Sequence, residues 1–179
     1  THLFAGYGFM AEDAEFASRI ENADISFVGP NSKVIQQAGS KDEAKELARS
    51  LKVSVTPGED RIAAITLLSK AGASPNEYFQ KLVKKHKLSL PQKWQSGDPL
   101  EQAILLLQAS CEKQVDLFTI TELQQETARQ VETLWRENPG KRIRLKHVGG
   151  GGGKGQRVIT AVDEVEEAVM SVLIESKAP

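Results

Sequence analysis

Residues 146–159, KHVGGGGGKGQRVI, place five consecutive glycines between two stretches of strand character. Glycine loses more backbone entropy on folding than any other residue and has no side chain to pack. Such a run is therefore either a slack linker or a place where bare amides approach something closely. The flanks argue against a linker, which would carry serines and polar neighbours over a longer span. Upstream, in KRIRLKHV, Ile143 and Leu145 alternate with charged residues; downstream, QRVIT is a short β-branched run. Both read as half-buried strands, so the glycines join them as the tip of a hairpin does.

Two phosphate-binding patterns can be tested here. A P-loop needs a glycine four residues before a Gly-Lys pair and a Ser or Thr after it. In this chain Val148 and Gly155 occupy those positions. Gly150, Gly152 and Gly155 satisfy G-x-G-x-x-G, but any glycine run does, and that fingerprint requires a following helix. The physics common to both patterns remains. Amides unobstructed by Cβ cradle phosphate oxygens, and nearby lysines neutralise charge. A strand–glycine–strand unit bearing Lys146 and Lys154 has the character of a flap over a triphosphate.

Composition sets the frame. With 179 residues, 40% hydrophobic, the chain has room for one domain or one and a half. A net charge of −1 removes any general case for a nucleic-acid or membrane-surface protein. No apolar run approaches the roughly 18 residues of a membrane span, and no signal peptide is visible. The single cysteine, Cys111, has no internal disulfide partner, which suits a reducing compartment. Its apolar-periodic surroundings predict a buried small hydrophobe. The opening THLFAGYGF, without methionine, reads as an internal piece of a longer chain.

Residues 1–57 alternate as an α/β protein does. AEDAEFASRIENA predicts a helix with Phe16 and Ile20 on one face, and Asp24–Val28 a buried strand stopped by Gly29-Pro30. Asn31 caps a helix through SKVIQQA, Ser40 and Glu43 form a capping box for the next, and Val53–Val55 is a further strand. A parallel, helix-covered sheet follows from this order. From Arg61 to Phe118 the pattern is helical, with Leu67, Leu68, Phe79, Leu82, Leu105 and Leu106 at core spacing. Residues 84–87, KKHK, are a solvated helix end in the plain reading and a partner-steering patch in the sharper one. His86 has no second ligand at metal spacing. Thr121 with Gln124 is expected to cap the helix that Pro139-Gly140 stops. Thr160 and Asp163 open the last helix, whose inner face carries Val165, Val169 and Leu173.

Three segments, taken in order, resemble the biotin carboxylase family of ATP-grasp enzymes. They are GYGFMAEDAEFA (6–17), FVGPNSKVIQQAGSKDEAKELA (27–48) followed by VSVTPG (53–58), and IRLKHVGGGGGKGQRVI (143–159). The resemblance implies an α/β fold: a partial parallel pre-ATP-grasp lobe (1–60) and the start of an ATP-grasp lid subdomain (119–179), while the helical bundle (61–118) is an insertion where the family has only a short link. It also implies a parent ligase, an acyl-CoA or pyruvate carboxylase, that uses ATP, Mg2+ and bicarbonate to carboxylate biotin held on a carrier domain or protein, with a carboxyltransferase component as further partner. Its expected location is the cytoplasm, or the mitochondrial matrix in a eukaryote.

Carried over residue by residue, the resemblance assigns Lys41, Lys146, Gly149, Gly150, Gly151, Gly152, Gly153, Lys154 and Gly155 to ATP. It assigns Tyr7, Gly8 and Glu12 to the biotin and bicarbonate side. Where the family usually has His-Pro before Gly-Tyr-Gly-Phe, this chain has Phe4-Ala5. The family's magnesium glutamates and carboxylation residues have no counterpart, so the chain is expected to be inactive alone and to hold no metal ligands. Two other readings stand beside this one: a different ATP-grasp ligase, such as a carbamoyl-phosphate synthetase, and a non-catalytic partner-binding domain derived from the lobe.

Overall fold

The computed structural model describes residues 1–39, 41–147 and 155–176, and the chain divides into two units, Thr1–Pro57 and Gly58–Pro179. The first holds β1 (His2–Leu3), α1 (Ala14–Asn22), β2 (Ser26–Phe27), α2 (Ser32–Gly39) and α3 (Lys41–Ser50). β1 and β2 pair in parallel, His2 with Ser26 and Leu3 with Phe27, and α1 provides the crossover that a parallel pair requires. Asp13 starts α1 by accepting from the Phe16 amide at 2.6 Å, and Asn31 starts α2 by accepting from the Val34 amide at 2.9 Å. This is the capping expected of Asn31. Phe16 sets its ring edge-on to Phe27, centroids 6.3 Å apart, which seats α1 on β2. The Glu21 carboxylate accepts from the Ser32 hydroxyl at 2.6 Å and its amide at 2.9 Å, tying α1 to the start of α2. Those bonds, the hydroxyl's first, hold Glu21 below the ordinary carboxylate range.

Val53–Val55 form no strand, contrary to the sequence expectation. Lys52 takes a left-handed φ of 58°, and the Val53 amide returns to the Ala48 carbonyl at 2.8 Å. The Val53 amide is thus used in ending α3 rather than in a ladder. The Ser40–Glu43 capping box lies outside the described residues. Ala17 is the one buried residue among those described in this unit, whereas Phe4, Val28, Leu47, Leu51 and Val53 are exposed.

The second unit holds α4 (Ile62–Ala71), α5 (Pro75–His86), α6 (Pro99–Glu112), α7 (Ile120–Glu137), β3 (Ile143–Lys146), β4 (Gln156–Ile159) and α8 (Val165–Ser176). Gly72, at φ 63°, ends α4, and Pro75 opens α5, where a missing N–H costs nothing. Asp98 caps α6 by accepting from the Leu100 and Glu101 amides. Leu67, Phe79 and Leu106 are fully buried, Leu82 is buried, and Leu68 and Leu105 pack against them. The helical-spacing expectation therefore identified this core. Trp94 closes one side, donating from Nε1 to the Gln102 carbonyl at 3.1 Å. Lys84, Lys85 and His86 occupy the last turn of α5, where cations complement the helix dipole. Cys111 is exposed, not buried. The α6 stripe runs through Ala103, Leu106 and Ser110, and the next residue turns away from it.

α7 is capped by Thr119, not by Thr121. The Thr119 hydroxyl accepts from the Glu122 amide at 3.2 Å, and the Glu122 carboxylate accepts from the Thr119 amide at 2.7 Å, a reciprocal box two residues earlier than expected. Gln124 instead donates to the Glu166 carbonyl of α8 at 2.9 Å. On another side of α7, buried Glu126 accepts from the Ser69 hydroxyl of α4 at 2.8 Å, from Gln130 at 2.9 Å and from Arg129 at 3.0 Å. Lys70 of α4 bonds Glu122 at 2.8 Å. Val131 joins Ile159, Val165, Ala168 and Val169 in a second apolar cluster between α7, the β3–β4 hairpin and α8. No helix among the described residues is long and apolar enough to cross a membrane.

Burial pushes the Glu126 carboxyl up, but its bonds to Gln130, Ser69 and Arg129 outweigh that and hold it below the ordinary value. A depressed folded pKa means the contribution is present above the unfolded value and lost as pH falls through the folded one. Glu126→Ala strands Ser69 and Gln130 and should cost about 2–3 kcal/mol. Urea unfolding at pH 7 measures this, and the gap between wild type and variant should narrow below about pH 4; an unchanged midpoint at pH 7 would remove the stitch from the account.

Candidate nucleotide-binding hairpin

β3 and β4 pair antiparallel, Ile143 with Ile159, Arg144 with Val158, Leu145 with Arg157 and Lys146 with Gln156. Because side chains alternate across a strand, Ile143, Leu145 and buried Ile159 face the second cluster. Arg144 and Lys146 point the other way and are exposed, with half-exposed Val158 beside them. Arg144 donates to the Gln156 side chain at 3.2 Å, across the strands. The open face therefore carries two cations next to the end of the hairpin where the glycines lie.

The glycine end of the hairpin has a defined base. Gly155 is buried and left-handed, φ 65°, and its carbonyl accepts from the His147 amide at 3.0 Å. Its own amide donates to the Glu175 carboxylate of α8 at 2.9 Å. Arg157 reaches the same carboxylate with both terminal nitrogens, one of them 3.2 Å from Oε2 and the other paired with Oε1. The Arg157 guanidinium first, and the Gly155 amide second, hold the Glu175 carboxyl below its ordinary range. At the opposite end, Trp135, Lys141, Arg142 and Thr160 line a shallow depression of about 290 Å³.

The residues predicted from sequence distribute as follows. Lys146 stands on the open face of the hairpin, and Gly155 forms its base. Gly149, Gly150, Gly151, Gly152, Gly153 and Lys154 lie outside the described residues. Lys41 is the first residue of α3, in the first unit. Tyr7 is fully exposed and Glu12 is exposed. Gly8 takes φ 113°, a conformation that side-chain-bearing residues rarely adopt. No group of three or more His, Cys, Asp or Glu among the described residues could hold a metal ion. Sequence reasoning missed Glu175 and Arg157. A sequence separation of twenty between Gly155 and Glu175 leaves no local spacing to read. Strand alternation did carry the signal for Arg144.

Two outcomes follow from this base. Gly155→Ala forces a side chain into a left-handed conformation that costs roughly 1–2 kcal/mol, with the new methyl 3.4 Å from the His147 Cβ. Thermal unfolding should show a lowered Tm; an equal Tm would mean that the φ is not held. Because Glu175 is depressed from 4.5, the Gly155 amide resonance should stay constant from neutral pH down to the ordinary carboxylate range and move only below it. Movement centred above the ordinary value would contradict the clamp.

Comparison with known proteins finds similarity over part of the chain. The model of the biotin carboxylase N-terminal domain matches residues 1–35. The mitochondrial propionyl-CoA carboxylase alpha chain of Mus musculus is 46% identical over 57 residues, 32% of this chain and 8% of that protein. The mitochondrial pyruvate carboxylase of Homo sapiens is 41% identical over 73 residues, 41% of this chain and 6% of that protein. The biotin carboxylase of Pseudomonas aeruginosa is 43% identical over 60 residues, 34% of this chain and 13% of that protein. The chain thus spans a small part of the length of the relatives it matches. Residues 1–35 are similar to the N-terminal domain of the biotin carboxylase family.

Proposed function

We propose that the chain is a segment of a biotin-dependent carboxylase and contributes part of the site where ATP is used to carboxylate biotin with bicarbonate. The observation that carries this reading is the match of residues 1–35 to the biotin carboxylase N-terminal domain. The hairpin adds support of a different kind. Its open face offers Arg144 and Lys146, and its glycine end is anchored by a buried glycine. Cations beside a glycine run suit a polyphosphate, which supports reading the hairpin as a contact for the anionic half of a nucleotide.

In this reading Lys146 neutralises phosphate charge, the amides of residues 149–153 cradle phosphate oxygens, and Lys154 adds a second cation. Lys41 enters the nucleotide-binding set on the sequence resemblance alone. Phosphoryl transfer is mostly positioning and charge stabilisation, so these groups orient the nucleotide without forming a bond to it. Magnesium would be held by residues other than the described ones. Tyr7, Gly8 and Glu12 serve the biotin and bicarbonate side. The wider partners are a biotin carrier and a carboxyltransferase component, and residues 61–118 act as an insertion between the lobe and the lid.

The test is ADP binding by the 179-residue chain, followed by isothermal titration. Lys146→Ala should weaken it about tenfold or more, the scale of a lost charge-assisted contact to phosphate. Equal affinity would remove Lys146 from the site. The same chain should show no ADP release that scales with bicarbonate; such release would overturn its being only part of the site.

A further inference from the structure

The Arg157–Glu175 pair has a plain reading as a surface ion pair tying β4 to α8. Both side chains are about 40% exposed, and pairs of that kind contribute little. Two observations exceed that reading. Glu175 lies in the last turn of α8, where the helix dipole disfavours a carboxylate, so its placement there needs an offsetting interaction. Moreover, the carboxylate is shared: Oε2 receives the Gly155 amide at 2.9 Å as well as Arg157.

Both polar groups of the Gly155 backbone are consequently committed, the amide to Glu175 and the carbonyl to His147. Its left-handed φ leaves the direction of the chain at this point fixed by those two bonds. The neighbouring pair in the ladder is Lys146 with Gln156, so the same bonds set where Lys146 stands relative to the start of β4. Resting on the nucleotide reading above, we propose that Glu175 is a positioning residue for the nucleotide. Its carboxylate accepts from the Gly155 amide and thereby holds Gly155 and Lys146 in the arrangement that phosphate binding requires. The acceptor oxygen, not the ion pair, performs this role.

The distinction can be measured. Glu175→Gln keeps an oxygen for the Gly155 amide, Glu175→Met removes it, and the exchange Arg157→Glu with Glu175→Arg keeps an ion pair but offers the amide no acceptor at position 175. ADP affinity and Tm are measured for all three beside Lys146→Ala. The proposal expects the Gln variant to bind within about threefold of wild type, and the Met variant and the exchanged pair to lose about tenfold. The exchanged pair should do so with a Tm near wild type. If the Met variant and the exchanged pair bind as wild type while Lys146→Ala loses affinity, the proposal is overturned and the nucleotide reading survives. If Lys146→Ala also binds as wild type, or the unaltered chain does not bind ADP, the nucleotide reading fails and the proposal fails with it.

Discussion

The second unit depends on one helix having two occupied sides. α7 presents Glu122 and Glu126 to Lys70 and Ser69 of α4, and Val131 to the cluster shared with the hairpin and α8. A buried carboxylate is costly unless its lone pairs are filled; here Ser69, Gln130 and Arg129 fill them. Val131 of α7 lies within the second cluster, and the bonds to Ser69 and Lys70 tie the same helix to α4, whose Ala64 and Leu67 lie in the first. The helices over residues 61–118 and the hairpin are thereby joined through α7.

That joining supports the hairpin. A two-stranded ribbon alone is marginal in water. This one has Ile143, Leu145 and Ile159 against α7 and α8, and its glycine end pinned by Glu175. The packed face supplies rigidity, which leaves Arg144 and Lys146 free to serve as a cationic surface. The first unit has a different character. Its parallel β1–β2 pair and α1 match the biotin carboxylase N-terminal domain, yet among its described residues only Ala17 is buried.

The parts of the fold that were legible in the sequence are those governed by local physics. Alternation at Ile143 and Leu145 gave the hairpin, spacing gave the Leu67, Phe79 and Leu106 core, and Asn31 announced its own cap. The misses have separate causes. Val53–Val55 has strand propensity, but the left-handed Lys52 diverts its first amide back to α3. Thr121 and Thr119 both satisfy a capping pattern, and the choice fell to the residue whose partner, Glu122, also meets Lys70. Cys111 sits one position beyond an apolar stripe, which composition cannot resolve. The clamp was invisible because Glu175 meets Gly155 only once α8 has folded back along the hairpin. Only the clamp depends wholly on a long-range contact; the end of α3 and the start of α7 are settled by local bonds that compete with strand propensity and with a second capping pattern.

The central claim is that the open face and glycine end of the β3–β4 hairpin receive the phosphates of a nucleotide. Amide chemical-shift mapping of the 179-residue chain during titration with ADP tests it most directly. The account predicts the largest shifts at Arg144, Lys146, His147, Gly155 and Gln156, with α5 and α6 unmoved. Shifts confined to residues 61–118, or none at millimolar ADP, would contradict it.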